Sequence, residues 1–282
     1  YGKVIDSPAG QYNYISGGNP NLNPETSNSY TLGVVLNPLK DLNITLDTFN
    51  MKVKNTISSV GPTVILQQCL DTGNPVFCNA IHRDKLGTLW ATSDAYITAT
   101  NANLGQLQTQ GVDVGADYGM GLGAMGRLDV SFLGTYLKSF IVNDLPGLAS
   151  YDCAGLFGST CGTPLPEWRH KLRGTWSTPW NVSVAATWRH IDKVGLETAT
   201  TQDRLKGSTA SQVLSLAARD YLDLAASYNV TKNITARVAI NNVLDKDPPL
   251  RTNGSGFVNG NTYPVVYDAE GRRFSFNLTA KF

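Results

Sequence analysis

The chain has 282 residues, of which 16% are charged and 41% hydrophobic, and its formal net charge is +1. That balance excludes a disordered chain, a helical bundle and a basic nucleic-acid-binding surface. No apolar run approaches the ~20 residues that a membrane-spanning helix requires, so any membrane role falls to strands.

Alternation of apolar and polar residues, which points successive side chains to opposite faces of a strand, predicts nine strands. In chain order they cover 25–37, 42–60, 92–118, 126–138, 168–177, 182–191, 221–229, 234–243 and 267–282. In the fourth, Leu128, Val130, Phe132 and Tyr136 oppose Arg127, Asp129, Ser131 and Thr135. The sixth sets Val182, Val184, Ala186 and Trp188 against Ser183, Thr187 and Arg189. The eighth sets Ile234, Ala236, Val238 and Ile240 against Thr235, Arg237 and Asn241. In the ninth, Phe274, Phe276, Leu278, Ala280 and Phe282 alternate with Arg273, Ser275, Asn277, Thr279 and Lys281. Helical periodicity is weak throughout.

The connections alternate in length. Tight turns with Gly, Pro, Asn or Asp fall near 38–41, 119–125, 178–181 and 230–233, whereas long segments cover 61–91, 139–167, 192–220 and 244–266. Long structureless loops are uncommon in compact soluble domains but usual on the outer side of outer-membrane barrels, whose inner turns are short. Tyr118, Trp176, Tyr228 and Phe282 end apolar faces on the short-turn side, and Tyr30, Tyr136 and Trp188 lie nearer the long loops. Two aromatic belts flanking an apolar band fit the two membrane interfaces. A soluble lipocalin-like barrel would alternate in the same way but with bulky residues packed inward. Here the apolar face includes Ala116, Gly134, Gly174 and Ala186. The expected fold is therefore all-β, a transmembrane antiparallel up-and-down β-barrel.

Several motifs carry a resemblance. Residues 18–26 read GNPNLNPET, 78–88 read CNAIHRDKLGT, 96–113 contain NANLG and QTQGVD, 241–249 read NNVLDKDPP, and the chain ends with GRRF at 271–274 and a terminal Phe282. In this order they resemble the C-terminal barrel portion of TonB-dependent outer-membrane receptors, over nearly the whole chain. The resemblance implies that these are the last nine of 22 strands, with residues 1–24 an extracellular loop segment and 25–282 the barrel strands. The chain opens at Tyr1 with neither Met nor signal peptide, and it is expected to be a piece of a longer protein that also carries the family's N-terminal plug. The resemblance further implies TonB-energised uptake of a scarce nutrient of the siderophore, vitamin or oligosaccharide class across the outer membrane of a Gram-negative bacterium. The implied partners are outer-membrane lipid, the plug, TonB through the N-terminal segment, and the small-molecule ligand. Phe274, Phe276, Leu278 and Phe282 would be read by the barrel-assembly machinery. A passive porin or adhesion barrel is the alternative, and a soluble all-β binding module a third.

Cys69 and Cys78 share one long segment with eight residues between them, and Cys153 and Cys161 share another with seven. Two local disulfides fit an oxidising compartment. Zinc is the rival, but neither pair has Cys-x-x-Cys spacing and only His82 is near. Gly121-Leu-Gly-Ala-Met-Gly126 matches GxGxxG, yet an alternating strand follows instead of a helix, so it reads as a glycine-rich turn rather than a dinucleotide site. No catalytic spacing is found, no cofactor is expected, and His82, His170 and His190 are scattered. The polar faces place Arg169, Lys171, Arg173, Arg189 and Arg237 toward the interior, with Asp113, Asp117, Asp129 and Asp223 as candidate partners. The expected role of these cations is ion pairing or contact with the plug, the alternative a conduit for anionic ligands. Trp90, Tyr151, Phe157, Trp168 and Arg251 are candidate ligand contacts in the outer loops.

Overall fold

A computed structural model describes residues 12–145, 148–207, 213–251 and 260–281. Nine strands form one antiparallel sheet: β1 Thr26–Leu39, β2 Leu42–Ser58, β3 Ala102–Gly121, β4 Arg127–Asn143, β5 Trp168–Ser177, β6 Val182–Ile191, β7 Arg219–Asn229, β8 Ile234–Asn241 and β9 Arg273–Ala280. Their spatial order equals their chain order, and a short strand at Tyr151–Asp152 adds a partner to β4. This is the meander that short turns alternating with long loops require.

The tight turns use the chemistry read from the sequence. Asp41 and Asn181 adopt left-handed φ of 62° and 59°, which Asp and Asn tolerate better than other side chains. The glycine-rich segment is a 3₁₀ turn at Gly123–Met125 followed directly by β4. Gly126, with φ of 97°, has no room for a side chain: a Cβ there would lie 2.1 Å from the Ser177 carbonyl oxygen. The glycines therefore serve a turn, and no helix N-terminus is present to receive a phosphate.

Register fixes the two faces. Leu128, Trp176, Val184, Ala226, Val238 and Phe276 lie in one cross-strand row, and Val130, Gly174, Ala186, Leu224, Ile240 and Phe274 in the next. The opposite face carries Ser131, Arg173, Thr187 and Asp223 in one row and Ser227, Arg237 and Asn277 in another. Phe274, Phe276 and Leu278 are 60–70% exposed, and Leu128, Val130, Leu222 and Leu224 form no buried core. An apolar face this large left uncovered fits hydrocarbon as its solvent.

Cores instead occupy the loops. The chain divides into two compact units, one built from residues up to Ser27, Val53–Leu107 and Asn143–Leu148, the other from Asn28–Lys52, Gln108–Val142 and the chain from Ala149 onward. In the first, strands Tyr14–Gly17, Tyr96–Thr100 and Ile81–His82 make a small sheet. Ile65, Leu66, Phe77, Leu89 and Ile97 pack together there. Helix α1, Pro62–Thr72, and the single turn α2, Pro75–Cys78, carry the Cys69–Cys78 disulfide. In the second unit, Val194–Leu196 pairs with Leu156–Phe157 and Ser215–Leu216.

Three differences from the sequence reading have local causes. The stretch predicted as a strand over 92–118 is divided, because Tyr96–Thr100 alternates equally well but pairs with Tyr14–Gly17 instead of joining the nine-stranded sheet. The last strand begins at Arg273 rather than 267, because Tyr267 turns into a loop core and is 2% exposed. Helix α1 was hidden by its length and its two buried residues, yet Pro62 at its start and left-handed Gly73 after its end are ordinary helix boundaries.

Candidate functional site

The inner face of β5 to β9 carries a cluster of charged residues. Arg189 on β6 sits between two carboxylates. Its Nε and Nη2 donate to Asp223 on the neighbouring β7 at 2.8 and 3.0 Å. Its Nη1 and Nη2 donate to Asp268 of the 242–272 loop at 3.0 and 2.5 Å. The guanidinium lies over the Tyr221 ring, 4.9 Å from its centre. Asp268 N–H donates to the Tyr221 hydroxyl at 3.3 Å, and Asn242 N–H donates to Asp223 at 2.9 Å. Asn242 is fully buried and exchanges two hydrogen bonds with the Lys246 backbone. A planar fork satisfied on both edges is the geometry Arg supports and Lys does not.

The loop packing above this cluster is continuous. Phe157, Val194, Leu196, Leu216, Tyr263 and Tyr267 come from three different loops and form one core. Burial, then the neighbouring Tyr221, pushes the Tyr267 phenol up to about 12. Glu197, 3% exposed, accepts from Thr160 N–H at 2.9 Å and from Cys161 N–H at 2.6 Å. Gly158 lies so close to that carboxyl that a Cβ would fall 2.1 Å from its carbon. The Cys153–Cys161 disulfide closes the segment that presents these two N–H groups.

The residues singled out in the sequence scatter over three environments. Lys171, Arg173, Arg189 and Arg237 line one recess of the inner face, while Arg169 is exposed farther along β5. Of the four candidate partners, Asp223 holds Arg189. Asp129 instead pairs with Arg127 at 2.7 Å, and Asp113 accepts from the Thr135 hydroxyl at 2.7 Å. Asp117 lines a recess near the β1–β2 turn. Both cysteine pairs are disulfides. Phe274, Phe276 and Leu278 stand on the outward face, and Phe282 lies outside the described residues.

Of the candidate ligand contacts, Tyr151, Phe157 and Arg251 are 5%, 0% and 8% exposed and pack inside the loops. Phe157 meets Tyr263 edge-on, and Arg251 donates to the Tyr263 hydroxyl at 2.7 Å. Trp90 packs against the core of the first unit. Trp168 faces outward on β5, stacked beside Phe132, with its Nε1–H donating to His170 Nδ1 at 2.9 Å. Of the histidines, His82 stacks on Tyr96, and His170 and His190 stack on each other on the outward face. Among the described residues no cluster of His, Cys, Asp or Glu could hold a metal ion. Asp268, Tyr221 and Tyr267 were missed. Nothing local marks Asp268, since only the path of its loop brings it to Arg189.

A family model described as TonB dependent receptor-like, beta-barrel matches residues 1–243. The chain belongs to this family. Solved structures with the same fold include a mutant of the ferric enterobactin receptor PfeA from Pseudomonas aeruginosa, with 19% identity and a TM-score of 0.60, covering 95% of this chain and 32% of that one. The siderophore receptor PirA from Acinetobacter baumannii gives 17% identity and 0.58, covering 95% and 33%. The FrpB iron transporter from Neisseria meningitidis gives 14% and 0.56, covering 96% and 32%. The chain thus spans about a third of the length of these proteins. None of the curated proteins matches its sequence.

Proposed function

We propose that the chain is the C-terminal barrel portion of an outer-membrane receptor that takes up a scarce nutrient with energy delivered through TonB. The match to the TonB-dependent receptor barrel over residues 1–243 carries this reading. The outward apolar face, the short inner turns and the disulfide-bearing loops support an outer-membrane location. In this reading residues 1–24 belong to an outer loop, and 25–282 supply the last nine of 22 strands. The plug and the TonB-contacting segment are contributed by the rest of the protein, and the nutrient belongs to the siderophore, vitamin or oligosaccharide class. Phe274, Phe276, Leu278 and Phe282 present the closing strand to the barrel-assembly machinery.

The test uses the full-length gene in a Gram-negative host, with growth scored on limiting iron, vitamin or oligosaccharide with and without a functional TonB. Growth dependent on both the gene and TonB is expected. Growth dependent on the gene alone would replace this reading by that of a passive porin.

A further inference from the structure

The carboxylates of the inner recess are already committed. Its lining carries Lys171, Arg173, Arg189, Arg237 and Arg273 against Asp223, Asp268 and Glu270. Arg189 takes both aspartates, and Glu270 pairs with Arg273 at 3.3 Å. Arg173 is held by hydroxyls instead, donating to Thr175 and Thr187 at 3.3 and 3.4 Å. Among the described residues no carboxylate bridges Lys171, Arg173 or Arg237.

A second recess sharpens this asymmetry. Arg173 and Arg237 line it together, and its other polar lining consists of hydroxyls and an amide, including Ser183, Ser227, Thr235 and Asn277, with no carboxylate. Register places Arg237 directly between Ser227 and Asn277. Two guanidiniums among neutral donors, on a wall whose low-dielectric surroundings focus potential, favour an oxyanion over a cation or a neutral solute.

We propose that Arg173 and Arg237, with Lys171 two residues before Arg173 on β5, form an oxyanion-binding site on the inner wall that takes a solute bearing several carboxylate or phosphate groups. Arg189 lines the first recess with them but is occupied by its own aspartates, Asp223 and Asp268. The proposal rests on the uptake reading, and it makes the nutrient, or the form in which it crosses, anionic.

The test is calorimetric titration of the full-length receptor at low salt with inorganic pyrophosphate and with tricarballylate, with sucrose as the uncharged control. Both anions are expected to bind, and raising the salt should weaken them. R173Q/R237Q should weaken both at least tenfold, whereas R169Q, outside the recess, should leave them unchanged. Ser227→Asp, which sets a carboxylate opposite Arg237, should weaken them as well, and it decides the matter if the double variant fails to assemble. The proposal is overturned if wild type binds neither anion, or if Ser227→Asp binds them like wild type. Absence of anion binding together with a lowered melting midpoint for R173Q/R237Q would overturn it too, and would give the site to carboxylates of the plug. Loss of TonB dependence with anion binding retained would sink the uptake reading alone.

Discussion

In the wall, Leu224, Val238, Phe276 and Leu278 stand exposed on one face while Arg189 and Asp223 pair on the other. In the loops of the same unit, Phe157, Leu216, Tyr263 and Tyr267 are nearly sealed, at 0–2% exposure. The wall turns its apolar side chains outward and relies on ladder hydrogen bonds, because hydrocarbon offers backbone groups no alternative partner. The loops stand in water and must bury theirs, so they carry small cores and disulfides of the kind found in secreted domains. One chain thus follows two burial rules, and the side of the interface decides which applies.

That contrast can be broken experimentally. The largest effect is expected from Phe157→Ala, which removes a fully buried ring at the centre of the loop core and should cost about 3–5 kcal/mol locally. Trypsin cleavage at Arg204 or Lys206 should accelerate while heat-modifiable migration of the barrel stays as in wild type. If the barrel itself fails to assemble, the loops and the wall are one cooperative unit. Leu224→Arg addresses the other rule, since a cation on the lipid face of β7 costs roughly 2–4 kcal/mol near the bilayer midplane. Assembled protein should fall, whereas Ala225→Ser, one residue away on the inner face, should assemble normally. Equal effects for the two would deny that Leu224 meets lipid.

Replacing Cys153 and Cys161 together by Ser should cost about 2.5 kcal/mol by the loop-entropy relation. Because the loop it closes presents N–H groups to Glu197, the variant should show faster amide exchange at Thr160 and Cys161, with exchange in β6 unchanged. The smallest effect concerns Asp84, whose carboxyl is held below its ordinary 3.8, chiefly by the Thr88 hydroxyl and then by backbone N–H groups of the 84–88 turn. A lowered folded value means that its contribution is present above 3.8 and is lost as pH falls below it. Amides of Leu86 and Thr88 should therefore exchange faster on acidification in that range, and Asp84→Asn should flatten this dependence. An unaltered pH profile in Asp84→Asn would remove the carboxylate from the explanation.

Legibility in the sequence follows the same division. β5 and β6 begin and end where alternation places them, and Lys171, Arg173, Arg189 and Arg237 share one face and one recess, because a wall with two unlike solvents stamps a period of two on every strand. Loop residues obey no such period. Phe157 looks like an exposed loop aromatic until three segments are seen to fold over one another, and Tyr267 alternates with its neighbours yet leaves the sheet. Arg189 was visible as an inward cation with Asp223 as its partner. Asp268, 79 residues away, becomes its second partner only through the path of a loop.

The carboxylate of Glu197 has a practical corollary for chimeric receptors. It is rooted in the segment after β6, and the groups that satisfy it belong to the segment after β4. Transplanting either segment alone would strand the Glu197 side chain without its hydrogen-bond donors. Exchange of these loops between relatives should therefore leave them folded when both segments, with the one after β8 that shares their core, move as a single cassette.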